Sequence, residues 1–167
     1  MKKSETLGHV MLIDDEKFDR KMYHRILQKY DIADRISSFA YAEEALTYLC
    51  DPSNPTVDMI LLDINMPRMN GFEFLDAAQE RFGTDFEATV AVMLTTPLNQ
   101  NDQRRAANSP MIDAFFAKPL TVENINTAVR MVTVKSELAR LRKEGLLAVS
   151  SPTLGGTGIT MAAPRHV

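Results

Sequence analysis

The sequence predicts an α/β protein, a doubly wound five-stranded parallel sheet with helices on both faces. Two observations carry this. Apolar runs are short and nearly continuous, as in strands buried on both faces, and the stretches between them repeat apolar residues at helical spacing. Strand and helix alternate five times, and right-handed crossovers leave only a few doubly wound topologies.

The first strand is His9–Ile13 (HVMLI). The helix after it, residues 17–30, places Phe18, Met22, Ile26, Leu27 and Tyr30 on an inward stripe, with Asp19, Arg20 and Lys21 outward. Arg35–Phe39 is the second strand. Ala42, Ala45, Leu46 and Leu49 mark the second helix, which the prolines of DPSNP end. Asp58–Leu62 is the third strand, and Gly71–Phe82 the third helix, with Phe74, Leu75, Ala78 and Phe82 inward. Thr89–Leu94 is the fourth strand, Asn101–Ala107 a short polar helix, and Ile112–Ala117 the fifth strand. Pro110 shortens or bends the approach to that last strand. Thr121 is suited to cap a final helix, with Glu123 in its first turn, running to about Glu144. Ser150–Val167, rich in Gly, Pro, Ser and Thr, reads as a disordered tail.

Composition limits the function classes. The 167 residues are 45% hydrophobic, enough for one ordinary domain. With a net charge of −3 and 19 basic residues in no dominant block, no nucleic-acid partner is expected. Cys50 is the only cysteine, which favours an intracellular setting. The apolar run near the N-terminus is one strand long, too short for a signal peptide or a membrane span. A cytoplasmic protein is expected, with no membrane partner.

In open α/β sheets, ligands bind beyond the carboxyl ends of the strands. Strand one ends in Asp14-Asp15-Glu16, strand three in Asp63, strand four in Thr95-Thr96 and strand five in Lys118-Pro119. Converging carboxylates repel unless a cation intervenes, and an all-oxygen set suits a hard ion, Mg²⁺ above all. Any one of these residues alone reads as part of a solvated acidic rim. Four strand ends together do not.

The segments LIDDE, LLDINMPRMNG, MLTT and FFAKP, in this order, resemble the receiver domain of two-component response regulators. The resemblance spans about Gly8–Val134 and implies the strand order 2-1-3-4-5. It makes Asp63 the phosphoacceptor, on which an acyl phosphate forms. Asp14, Asp15, Asp63 and the backbone carbonyl of Asn65 would hold Mg²⁺. Thr95 would hydrogen-bond a phosphoryl oxygen, Lys118 would pair with its charge, and Phe115 matches an aromatic switch position. The output surface it implies is the fourth helix, fifth strand and fifth helix. Charge neutralisation and in-line positioning are what phosphoryl transfer needs. The bend after Asp63 is set by Pro67 and Gly71, and Pro119 permits a cis bond.

Pro97, two residues after Thr95, offers no side-chain hydrogen bond to a hydrolytic water, so spontaneous dephosphorylation is expected to be ordinary to slow. His24, alone on an amphipathic helix, reads as incidental, and the ten methionines as core filler.

The domain reading is a lead over residues 1–8, a receiver over 9–134, an extension of the fifth helix over 135–149, and the tail over 150–167. Too few residues follow the fifth helix for an output domain, so a stand-alone regulator is expected. Its phosphodonor would be a histidine kinase or phosphotransfer protein, and its output an unknown downstream protein. On the long fifth helix Met131, Val134, Leu138 and Leu141 form a second apolar stripe, which suggests a homodimer through that helix. The alternative is a phosphorylation-independent receiver-like interaction module. An aspartyl phosphohydrolase would want a second aspartate two residues after the first, and position 65 is Asn. No turnover of an external substrate is expected.

Overall fold

The structure is a computed structural model that describes residues 6–96 and 100–146. Pro97, with its expected effect on phosphoryl lifetime, and the tail 150–167 lie outside the described residues. Five parallel strands, β1 (Leu7–Ile13), β2 (Ala33–Phe39), β3 (Met59–Asp63), β4 (Val90–Thr95) and β5 (Ala114–Ala117), form one sheet in the order β2-β1-β3-β4-β5. The helices are α1 (Lys17–Lys29), α2 (Ala42–Cys50), α3 (Gly71–Phe82), α4 (Gln100–Ala107) and α5 (Val122–Lys143), with a 3-10 turn at Gly83–Ala88.

Strand pleating sorts the core into two layers. Met11 and Ile13, Ile60 and Leu62, Ala91 and Met93 point to the side covered by Ala42, Ala45 and Leu46 of α2, Phe74, Leu75 and Ala78 of α3, and Ala106 of α4. Their neighbours Val10, Leu12, Met59, Leu61, Val92 and Leu94 pack on the other side against Tyr23 and Leu27 of α1 and Ile125, Ala128, Val129 and Val132 of α5. A strand buried on both faces cannot alternate apolar with polar, which is why these runs are continuous.

Several expectations need correction. On α1 the fully buried residues are Tyr23, 1% exposed, and Leu27, with Met22 and Ile26 partly buried against the same layer as expected, while Phe18 is 74% exposed and Tyr30 also faces solvent. The Tyr23 hydroxyl accepts the Leu120 N–H, which sets the rotation of α1 about its axis. Asp19 and Arg20 do not point outward. Both turn towards the carboxyl edge of the sheet, where Lys118 and the end of β1 meet them. The fifth strand begins at Ala114, not Ile112, because residues 109–112 form a turn in which the Ile112 N–H reaches the Ser109 carbonyl. Lys17, Lys21, His24 and Arg25 line one groove beside β2.

Helix ends follow their caps. Asn70 and Glu73 make a reciprocal capping box on α3, and Thr121 does the same with Asn124 on α5. At the C-terminus of α5, Gly145 takes φ 71°, and the N–H groups of Gly145 and Leu146 bond the carbonyls of Arg142 and Leu141. This is the paired return of a Schellman motif, which a residue with a Cβ would strain.

Candidate functional site

Register brings the strand ends into line. Ile13 pairs with Leu62, Asp63 with Leu94 and Thr95 with Ala117. Asp14, Asp63, Thr95 and Lys118 therefore share one edge of the sheet. Pleat parity divides them further. Asp63 has the parity of Met59 and Leu61, and Asp14 and Lys118 follow residues of the same layer, so these three meet on the α1–α5 side.

The geometry there is tight. Lys118 Nζ lies 2.7 Å from Asp14 Oδ2, 3.0 Å from Asp19 Oδ2 and 3.3 Å from Asp63 Oδ1. Asp14 and Asp63 are buried, at 2% and 5% exposed. The other Asp14 oxygen accepts the Glu16 N–H at 2.9 Å, and Asp63 accepts the Asn65 N–H. Arg20 donates to the backbone carbonyls of Asp14 and Asp15, tying the first turn of α1 to the end of β1. Lys118 is held from behind by its own N–H, which donates to the Thr95 carbonyl at 2.7 Å, and is followed by a cis peptide bond to Pro119.

Behind Asp63 the chain folds tightly on itself. Ile64 N–H bonds the Leu94 carbonyl, and the N–H groups of Met66 and Gly71 both reach the Ile64 carbonyl. Met69 N–H bonds Pro67 O, and Arg68 takes φ 69° with its guanidinium over the Tyr41 ring at 3.9 Å. Gly71 is required by proximity. A Cβ there would sit 2.7 Å from the Asp63 carbonyl and 2.8 Å from Met93 Cε.

Electrostatics follow from burial and crowding. Burial pushes the Asp14 carboxyl up to about 6, against the hydrogen bond and charge of Lys118. Asp63 is raised too, by burial first, with Lys118 and the Asn65 N–H opposing. Burial works against the Lys118 ammonium as well. The bond to Asp14 and the charges of Asp63 and Asp14 outweigh it, and its pKa stands above the ordinary lysine value. Three carboxylates thus meet the Lys118 ammonium, and Asp15 brings a fourth beside Asp14 and Asp63. Asp14, Asp15 and Asp63 each offer an oxygen within 4.8 Å of the others. An all-oxygen set carrying excess negative charge fits a hard divalent cation.

Two expected residues stand apart from this cluster. Thr95 is buried with the parity of Ala91 and Met93, and its hydroxyl donates to the Thr96 carbonyl at 3.1 Å. Phe115 pairs with Met93 and packs, half-buried, on the α2–α3 layer. Thr95 and Phe115 therefore lie on the same face of adjacent strands. Asp19 and Arg20 were missed as site residues because helix rotation is invisible in spacing. Their position in the first turn after a strand ending in acids was the available signal.

The description "Response regulator receiver domain" matches residues 10–130. The chain belongs to that family. Receiver domains take a phosphoryl group on aspartate and bind Mg²⁺ at an acidic pocket of this kind. Hybrid signal transduction histidine kinase D of Dictyostelium discoideum is 27% identical over 141 residues, covering 77% of this chain and 9% of that protein. The two-component response regulator ARR8 of Arabidopsis thaliana is 26% identical over 153 residues, covering 82% and 65%. This receiver therefore corresponds to part of each of these longer relatives. Among solved structures, a two component response regulator from Cytophaga hutchinsonii superposes with TM-score 0.71 at 25% identity, over 78% of this chain and 99% of that one. The Vibrio cholerae chemotaxis protein CheY4 gives 0.63 at 25% identity, over 76% and 99%. Among the described residues no helix is long and apolar enough to cross a membrane.

Proposed function

We propose that this receiver works as a cytoplasmic response regulator that accepts a phosphoryl group on Asp63 from a histidine kinase or phosphotransfer protein. The observation that carries this is the convergence of Lys118 Nζ on both Asp14 and Asp63 at one sheet edge. An Asp63 oxygen attacks the phosphorus of a phosphohistidine, the P–N bond breaks, and its electron pair leaves with the imidazole. Lys118 moves from carboxylate to phosphoryl oxygen as charge builds there. Asp14, Asp15, Asp63 and the Asn65 carbonyl would hold Mg²⁺, which supplies charge neutralisation at the transferred group. No external substrate turns over, because the phosphoryl group stays on the protein until water removes it.

The acyl phosphate carries about two negative charges where the Asp63 carboxylate carried one, so modification makes this edge more negative. Thr95 Oγ1 exchanges the Thr96 carbonyl for a phosphoryl oxygen, and Phe115, on the same face, responds to the shift of the β4 end. This biases a two-state equilibrium that a downstream protein reads. Val134 and Leu138, on the α5 stripe from which a homodimer was expected, are exposed, and sedimentation with and without a phosphoryl mimic measures whether copies associate through it.

Beryllofluoride with Mg²⁺ tests the reading, and the Phe115 ring and the amides around Asp63 report it by NMR. The expected result is saturable binding, abolished in Asp63→Asn, with the Phe115 response lost in Thr95→Val. A pocket that shows no response supports the phosphorylation-independent interaction module instead.

A further inference from the structure

A groove of about 890 Å³ opens at the end of the sheet opposite Asp63, between the C-terminal half of α5 and the 3-10 turn before β4. Its apolar lining is Met131, Val134, Leu138 and Ala139, with Ala88 across from them. Val134 is 59% and Leu138 42% exposed, an unusual outlay of large apolar side chains on one helix. This wall runs along α5 from Met131, just past residue 130 where the family match ends.

The charges around the groove are unequal. Lys135 is held by Asp113 at 2.8 Å. Among the described lining residues that leaves Arg130, Arg142 and Lys143 against Asp85. The acids nearest in sequence are engaged on Arg140, with Glu137 at 2.6 Å and Glu144 at 3.1 Å. An apolar trough with a cationic margin therefore lies on a chain whose net charge is −3.

We infer that this groove docks an acidic amphipathic helix of a partner protein, its apolar stripe on Val134 and Leu138 and its carboxylates towards Arg130, Arg142 and Lys143. Charge decides between the possible occupants. A second copy pairing α5 against α5 would set the same cations against each other. Residues 147–167 of this chain contain no Asp or Glu and so bring nothing to those cations. An acidic partner satisfies both the trough and its margin.

The test uses the full chain and a labelled helical peptide with leucines at i, i+3, i+4 and i+7 and glutamates on its flanks, followed by fluorescence anisotropy. A control peptide carries lysines instead of glutamates. The expected result is saturable binding of the glutamate peptide that weakens with added salt, and binding of the lysine peptide weaker by about ten-fold or more. Arg142→Glu with Lys143→Glu reduces affinity for the glutamate peptide by about ten-fold or more but leaves phosphoryl uptake at Asp63 unchanged. Leu138→Asp, at an exposed position and checked for folding by circular dichroism, removes binding. The inference is overturned if neither peptide binds, if both bind equally, or if sedimentation velocity shows a dimer that Leu138→Asp dissociates.

Discussion

The ammonium of Lys118 sits within 3.3 Å of three carboxylates, two of them buried. Removing one partner of a buried ion pair leaves the other charged and desolvated, which is far more damaging than the pair's net worth. Lys118→Ala is therefore expected to destabilise the metal-free protein by about 3 kcal/mol in urea unfolding, and Mg²⁺ to restore part of that loss. Asp14 adds a pH dependence. Its carboxyl is raised from 3.8 to about 6, so the fold favours the protonated form. That contribution is fully present below 3.8 and is lost as pH rises through about 6. Above that window Asp14 is ionised and available to a cation. Mg²⁺ should accordingly raise the melting temperature more at pH 7.5 than at pH 5, measured against protein in chelator. An equal rise at both pH values would contradict this. The aspartates at strand ends and Lys118 were legible because a strand end fixes direction as well as position. Asp19 was not, since nothing in spacing said which way the first turn of α1 faces.

Local conformation at the level of elements fixes the position of Asp63. The β3–α3 connection closes through the paired N–H bonds of Met66 and Gly71 to the Ile64 carbonyl, and the Asn70 box then starts α3. Gly71→Ala would press a methyl against the Asp63 carbonyl, which β3 pairing cannot release, and against Met93, which can bend. The expected outcome is a loss of about 1–3 kcal/mol in denaturant unfolding together with slower phosphoryl uptake. Full stability with full uptake would show the contact to be slack. Pro67 and Gly71 could be recognised as the bend from sequence, but the left-handed Arg68 could not, because arginine has no preference for that conformation. On α1, both the row through Phe18, Met22 and Ile26 and the row through Tyr23 and Leu27 recur every fourth residue. Both rows meet the core at Met22, Ile26, Tyr23 and Leu27, and periodicity could not say which is the more deeply buried. The bond from Leu120 N–H to Tyr23, a contact distant in sequence, decides it.

Across the whole molecule, one pleated sheet separates two groups of expected site residues. The α1–α5 side carries Asp14, Asp63 and Lys118, while Thr95 and Phe115 belong to the α2–α3 side. In the proposed switch, charge appearing on the first side reaches the second through the pairing of Asp63 with Leu94, next to Thr95. The fold class and strand count were readable from five continuous apolar runs. The strand order was not, since alternation alone allows several doubly wound topologies, and it came from the resemblance. The groove at the far end of α5 was only half visible: spacing disclosed its apolar stripe, but its cationic margin depends on how the helix end stands over the turn before β4.

Incubation with a small-molecule phosphodonor and Mg²⁺, followed by intact-protein mass spectrometry, tests the central claim most directly. The account predicts one added phosphoryl group that hydroxylamine removes and that is absent from Asp63→Asn. No adduct on folded wild-type protein, or an adduct that persists in Asp63→Asn, would contradict it.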